Sequence, residues 1–151
     1  MYMHDMKEPD ILEDYAVESC GCHKVRMAAR AVTRAYDYAL RPANLRATQL
    51  AMLVALGNYG AMSITALAKA MGMDRSTLTR NLHPLEKEGL VAVGLEGWHR
   101  SRTLEITKKG RSRLRQAFPY WRQAQDALRH KLGDQGWANV HDGLDQLIRT
   151  A

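Results

Sequence analysis

Apolar residues recur at spacings of three and four along most of this chain. From Cys22 to Leu40 the positions Val25, Ala29, Val32, Tyr36 and Leu40 form one stripe, which predicts a helix ended by Pro42 and Asn44. Arg26, Arg30 and Arg34 make a second stripe on another face of the same helix. Thr48 is the expected cap of the next helix, TQLAMLVALGNYG, closed by Gly57 and Gly60. Ser63 caps a short helix with Ile64, Leu67, Ala68 and Met71 inside, stopped by Gly72. Asp74 or Ser76 starts another helix that runs through Glu88, with Leu78, Leu82 and Leu85 inside and Gly89 as its stop. Pro84 falls within it, so a slight bend is expected, or a break at His83. The period then changes. LVAVGL and TLEIT read as two strands around the basic, glycine-containing tip EGWHRS, and two helical patterns at roughly 107–132 and 134–149 follow, separated by Gly133 and Asp134.

Two short helices joined by Gly-Met-Asp read as a helix-turn-helix, and the hairpin behind them as a wing. A helix of this kind fits the DNA major groove and lays polar and basic side chains on base edges and phosphates. The fold class expected is therefore mainly α: a winged helix-turn-helix with a two-stranded β-wing and N- and C-terminal dimerisation helices. The expected organisation is an acidic extension over 1–18, dimerisation helices over 19–47 and 107–151, and the winged helix-turn-helix over 48–106, in one compact domain.

Charge sharpens this picture. Residues 1–18 carry six acidic side chains against Lys7 alone, a net −5, whereas residues 19–151 carry 21 Lys and Arg against 10 Asp and Glu, a net +11. A basic body rich in arginine suits a polyanion, with duplex DNA the leading candidate. No stretch of about 18 uncharged apolar residues is present, so no membrane span is expected. The acidic N-terminus lacks a secretory layout, and two cysteines one residue apart make no disulfide framework, so a cytoplasmic setting is expected. No GxSxG, P-loop, HExxH or dinucleotide glycine pattern occurs, which argues against an enzyme and against a required cofactor.

The segment ITALAKAMGMDRSTLTRNLHPLEKEGLVAV closely resembles the recognition core of the MarR family of bacterial regulators, and RSRTLEITKKG resembles its wing strand and following helix. With the helices on either side, the resemblance covers about residues 20–150. It implies a homodimeric winged-helix repressor that reads a pseudo-palindromic operator and is released by a small molecule, oxidant or metal. Carried over by position, Arg75, Ser76, Thr77, Thr79 and Arg80 lie on the outer side of the recognition helix. Ser76 and Thr77 suit phosphate or base contacts near the helix start, and Arg80 suits base readout because its fork matches guanine O6 and N7. In the wing, Arg100 and Arg102 match the family's paired arginines, with Arg100 expected at the minor groove or phosphate and His99 as a weaker contact. Trp98 stands where the family has a bracing aspartate: either Glu96 substitutes as the brace or the wing tip is looser, with Trp98 packed on the DNA sugar or backbone or buried as an anchor of the wing. A small-molecule-binding or protein-interaction module that has lost DNA binding is the alternative reading.

Both cysteines fall in ESCGCHKVR, followed directly by His23. If the first helix begins near Ser19, Cys22 joins the apolar stripe and Cys20 points roughly 200° away. Registered on the peroxide-sensing branch of the MarR family through Asn44 and Gln49, Cys22 takes the sensing position. Tyr36 matches one of the accompanying tyrosines, whereas the other two are Arg26 and Ala47. Three readings stand side by side: a thiol sensor centred on Cys22, a metal-ion site of Cys20, Cys22 and His23, and inert cysteines. Tyr36, Tyr38, Met52, Tyr59, Tyr120 and Trp121 are candidates to line an effector pocket, against ordinary core packing.

Overall fold

A computed structural model describes residues 17–96 and 101–151. The chain divides into two compact units, Met1–Ala35 and Tyr36–Ala151. In the first, a 3-10 turn at Val17–Ser19 leads into helix α1, Gly21–Leu40. The carbonyl of Cys20 accepts from the Lys24 N–H at 3.0 Å, so Cys20 precedes the helix and Cys22 lies in its first turn.

The second unit holds the rest of α1 and everything after it. A 3-10 turn at Arg41–Ala43 carries the proline that ends α1, and Asn44 closes it in the left-handed region (φ 51°, ψ 46°). Helix α2, Ala47–Tyr59, begins one residue before the expected cap. Thr48 does not cap it. The Asp37 carboxylate accepts from the Ala47 N–H at 2.7 Å, and the Gln49 side chain accepts from the Arg46 N–H at 3.0 Å. The first donors are thus satisfied from α1 and from within the first turn.

A two-residue strand β1, Met62–Ser63, comes next; the sequence pattern had no signal for so short an element. Helices α3, Ile64–Ala70, and α4, Arg75–Lys87, start on the side chains of Ser63 and Asp74 respectively. Pro84 sits inside α4 without breaking it, so of the two expectations the break at His83 does not occur. Strands β2, Val91–Glu96, and β3, Ser101–Ile106, form the wing as an antiparallel pair, and β1 adds to the other edge of β3 with Met62 opposite Leu104 and Ser63 opposite Thr103. Thr107 caps the last helix, α5, Lys108–Thr150, which breaks at Gly133 (φ 73°, ψ 163°), where the sequence predicts the interruption.

Leucines build the core of this unit. Leu53 and Leu56 of α2, Leu67 of α3, Leu78, Leu82 and Leu85 of α4, Leu90 and Leu104 are almost completely buried. At the end of α4 the chain turns through Gly89 (φ 72°), with the Gly89 N–H bonded to the Glu86 carbonyl and the Leu90 N–H to that of Leu85. This pair of reverse bonds satisfies the last carbonyls of the helix and turns the chain into β2.

Candidate nucleic-acid interface

The recognition helix α4 separates two faces. Leu78, Leu82 and Leu85 are buried, whereas Arg75, Ser76, Thr79, Arg80, His83, Pro84 and Lys87 are exposed in a band three turns long. The inner leucines recur at three and four residues, so burying them leaves the basic and polar positions on the outside. The band includes the predicted Arg75, Ser76, Thr79 and Arg80, and adds His83 and Lys87. Sequence reasoning missed these two, although their spacing from Arg80 carried the signal.

Hydrogen bonds within the helix set what each group has left to offer. Asp74 accepts from the Thr77 N–H and from its hydroxyl, both at 2.8 Å. The Thr79 hydroxyl donates to the Arg75 carbonyl at 2.8 Å, and the Asn81 amide donates to the Thr77 carbonyl at 2.8 Å. With their protons committed, Thr77 and Thr79 present lone pairs. Ser76 makes no side-chain hydrogen bond among the described residues and keeps both donor and acceptor. Among the described residues Arg80 reaches only the Thr77 hydroxyl, at a long 3.4 Å, so most of its donors are available.

The Thr77 N–H, followed by the Thr77 hydroxyl, the Ser76 N–H and the charge of Arg80, holds the Asp74 carboxyl below its ordinary range. A carboxyl whose folded value lies below its unfolded one stabilises the fold fully above the unfolded value and loses that contribution as pH falls through the folded value. Asp74→Ala is therefore expected to melt below wild type at pH 7, and the gap should shrink as pH falls below the ordinary carboxylate range. A gap independent of pH in thermal melts from pH 7 to pH 2 would show that the cap does not depend on charge.

In the wing, Arg102 is exposed on β3 opposite Leu95. Trp98, His99 and Arg100 lie outside the described residues, as does the side chain of Glu96.

An apolar cavity of about 630 Å³ opens between α2 and α5, lined by Tyr36, Ala47, Leu50, Ala51, Val54, Leu114, Arg115, Phe118 and Trp121. Its size falls within the range of small-molecule sites, which run from about 300 to 1,000 Å³. The Tyr36 hydroxyl donates to the Gln125 side chain at 3.2 Å, and burial raises the Tyr36 hydroxyl above its ordinary pKa. Phe118 and Trp121 stack with ring centroids 5.5 Å apart. Of the six aromatic and methionine candidates, only Tyr36 and Trp121 line this space. Met52 is fully buried core, Tyr120 packs against the core, and Tyr38 and Tyr59 are exposed. The residues not foreseen are mostly small or aliphatic, and such residues read alike in sequence whether they fill a core or line a void.

Near the N-terminus, Cys20 is partly buried and Cys22 is exposed, as are Val25 and Val32 of the apolar stripe that it shares in α1. Because α1 starts at Gly21, the helical period fixes the direction of Cys22 but not that of Cys20. Cys20, Cys22 and His23 do not gather into a metal-binding group, and no cluster of three or more such ligands occurs among the described residues.

The MarR family model matches residues 45–93, from just before α2 into the first wing strand. The transcriptional regulator MosR of Mycobacterium tuberculosis is 36% identical, with 89% of this chain and 96% of MosR aligned at a TM-score of 0.78. A second MosR structure, in complex with DNA, aligns 85% of this chain with 93% of its own, at the same identity and TM-score. BpsR of Bordetella bronchiseptica, studied for regulation of its DNA binding by 6-hydroxynicotinic acid, shares the fold at 21% identity and a TM-score of 0.80 over 91% of this chain and 99% of BpsR. No curated protein matches. The matched recognition core, together with 36% identity across nearly the whole of MosR, establishes that this chain belongs to the MarR family of transcriptional regulators.

Proposed function

We propose that this protein is a homodimeric repressor that binds duplex DNA through α4 and the wing and is released by a chemical signal. The observation that carries this reading is the exposed outer band of α4, with Arg80 and Ser76 holding uncommitted donors beside a fully buried leucine face. Arg75, Ser76, Thr77, Thr79 and Arg80 serve as the major-groove and phosphate contacts, and Arg102 with His99 and Arg100 as the wing contacts. A DNA complex of the 36%-identical MosR supports the same use of this chain.

The dimer reading rests on the arm after Gly133, where Val140, Leu144, Leu147 and Ile148 recur at helical spacing and are all exposed. An apolar stripe of this kind on a terminal helix is suited to burial against a second copy. A two-fold dimer presents two α4 helices to half-sites about one helical turn apart.

Two sites are proposed for release. The cavity beside Tyr36 and Trp121 accepts a mainly apolar small molecule, with Arg115 on its wall available to an acidic group. Cys22, exposed in the first turn of α1, is open to oxidants and electrophiles. The protein is a regulator rather than an enzyme, and acts in the cytoplasm.

Fluorescence anisotropy with the upstream intergenic duplex tests the reading. Specific binding should be at least about 10³-fold tighter than to scrambled DNA at physiological salt, and both affinities should fall as salt rises. Equal affinity for the two duplexes across salt concentrations would return the chain to the alternative of a winged-helix module without specific DNA binding. Repeating the titration after peroxide, in wild type and Cys22→Ser, separates the release sites. Loss of binding in wild type alone assigns oxidant release to Cys22, and unchanged binding in both removes it.

A further inference from the structure

The end of the recognition helix is strapped to α5 by an unusual set of bonds. The Thr107 hydroxyl donates to the Gly89 carbonyl at 2.7 Å, the Thr107 N–H to that of Leu90 at 3.0 Å, and the Lys109 ammonium to that of Glu88 at 2.7 Å. One turn along α5, Nη1 of Arg113 donates to the Glu88 carboxylate at 3.1 Å and to the Asn44 carbonyl at 3.2 Å. Its two protons thus bridge the end of α4 to the turn that leads into α2. The Arg113 side chain is 16% exposed and that of Glu88 37%, so the pair is shielded from water on the arginine side.

Both anchor points stand next to the apolar cavity. Arg113 is followed by Leu114 and Arg115, which line it, and Asn44 lies three residues before Ala47, which also lines it. Helix α5 therefore carries two duties on adjoining faces: Leu114 and Phe118 face the cavity, while Lys109 and Arg113 hold α4. A rigid helix shifted by whatever fills the cavity must move its hold on α4, because the two faces belong to one backbone.

We infer that Arg113 is a positioning residue that couples the cavity wall to the recognition helix, setting the angle at which α4 is presented. Its consequence for DNA rests on the DNA-binding reading above; its consequence for α4 itself does not.

The full-length protein is the test material. Amide hydrogen exchange at residues 85–90 and affinity for the upstream intergenic duplex are measured in wild type, Arg113→Ala, Glu88→Ala and the double variant. Each is also made with Ala51→Phe, which places a ring in the cavity without a ligand. Thermal melts identify variants that fold, and Arg113→Leu, which keeps the packing of the stem but removes every donor, stands in if Arg113→Ala does not. Arg113→Ala should speed exchange at residues 85–90 and weaken duplex binding by about tenfold, within the usual range of intersite coupling. The double variant should be no worse than the poorer single one, since both remove the same contact. Ala51→Phe should alter exchange at 85–90 and affinity in wild type and add nothing in Arg113→Ala. Unchanged exchange in Arg113→Ala, additive effects of the two single variants, or an equal effect of Ala51→Phe with and without Arg113 would overturn the coupling. If wild type shows no preference for the duplex, the DNA-binding reading fails, and the exchange data still decide the strap.

Discussion

Gly110→Ala is expected to lower unfolding free energy by about 3 kcal/mol, at the upper end of what overpacking a close-packed site costs. A methyl group at this position would run into the Leu90 carbonyl oxygen and would come within 2.8 Å of Ile106 Cγ1. The usual remedy, a small retreat of the neighbour, is blocked. The Leu90 carbonyl accepts the Thr107 N–H at 3.0 Å, and the Gly89 carbonyl beside it accepts the Thr107 hydroxyl at 2.7 Å, so moving this backbone disturbs the start of α5 and the turn that ends α4. Gly110 is itself buried within the first turn of α5, which leaves the helix no room to swing outward. At roughly 2–4 °C per kcal/mol for a chain of this size, the melting temperature should fall by roughly 6–12 °C. The melts need one fixed protein concentration, because dimerisation also contributes. A variant melting within about 2 °C of wild type would mean that the backbones at Leu90 and Gly110 separate more easily than the bonds around them imply.

The second large effect concerns binding. Arg80→Ala should weaken specific duplex binding by about 1–3 kcal/mol while leaving non-specific binding nearly intact, so that preference among sequences relaxes. The side chain is exposed in the middle of the outer band of α4, and its one hydrogen bond among the described residues, to Thr77, is long. Little is lost from the fold when it is removed, and the melting temperature should barely change. Arg75→Ala serves as the comparison: a phosphate contact is expected to weaken all duplexes alike and to flatten the salt dependence by about one ion. If Arg80→Ala also weakens every duplex equally, Arg80 is a phosphate contact, and base reading moves to other positions of the band, with His83 next in line.

Much of the architecture was legible in the sequence because it is locally determined. Ser63 and Asp74 cap the helices that follow them, the leucine spacing of α4 matches its buried face, and Gly133 interrupts the last helix where no other residue of its turn would. The failures share a cause, which is contact across the chain. Thr48 looked like a cap, but the carboxylate of Asp37, ten residues earlier, reaches the Ala47 N–H first. Strand β1 has only two residues and exists because β3 offers it an edge. Gly110 carried no signal as a site of close approach, since Leu90 is twenty residues away in sequence. The exposed face of α4 was read almost fully, because an amphipathic helix announces which positions it turns outward. The cavity was read poorly. A void is defined by what fails to fill it, and Ala47, Ala51 and Val54 gave no hint of lining one.

Ser63 serves two elements at once: it pairs with Thr103 of the wing strand and caps α3 through the Ala66 N–H at 3.0 Å. The first helix of the helix-turn-helix and the wing are thus geared together through a single residue, and α4 itself runs into the wing strand β2 through the tight turn at Gly89 and Leu90. A protein built this way has little freedom to adjust its grip from one operator to another. Differences among operators must be absorbed by the DNA, and sequences that bend or twist easily into the fixed grip gain an advantage that no base contact records.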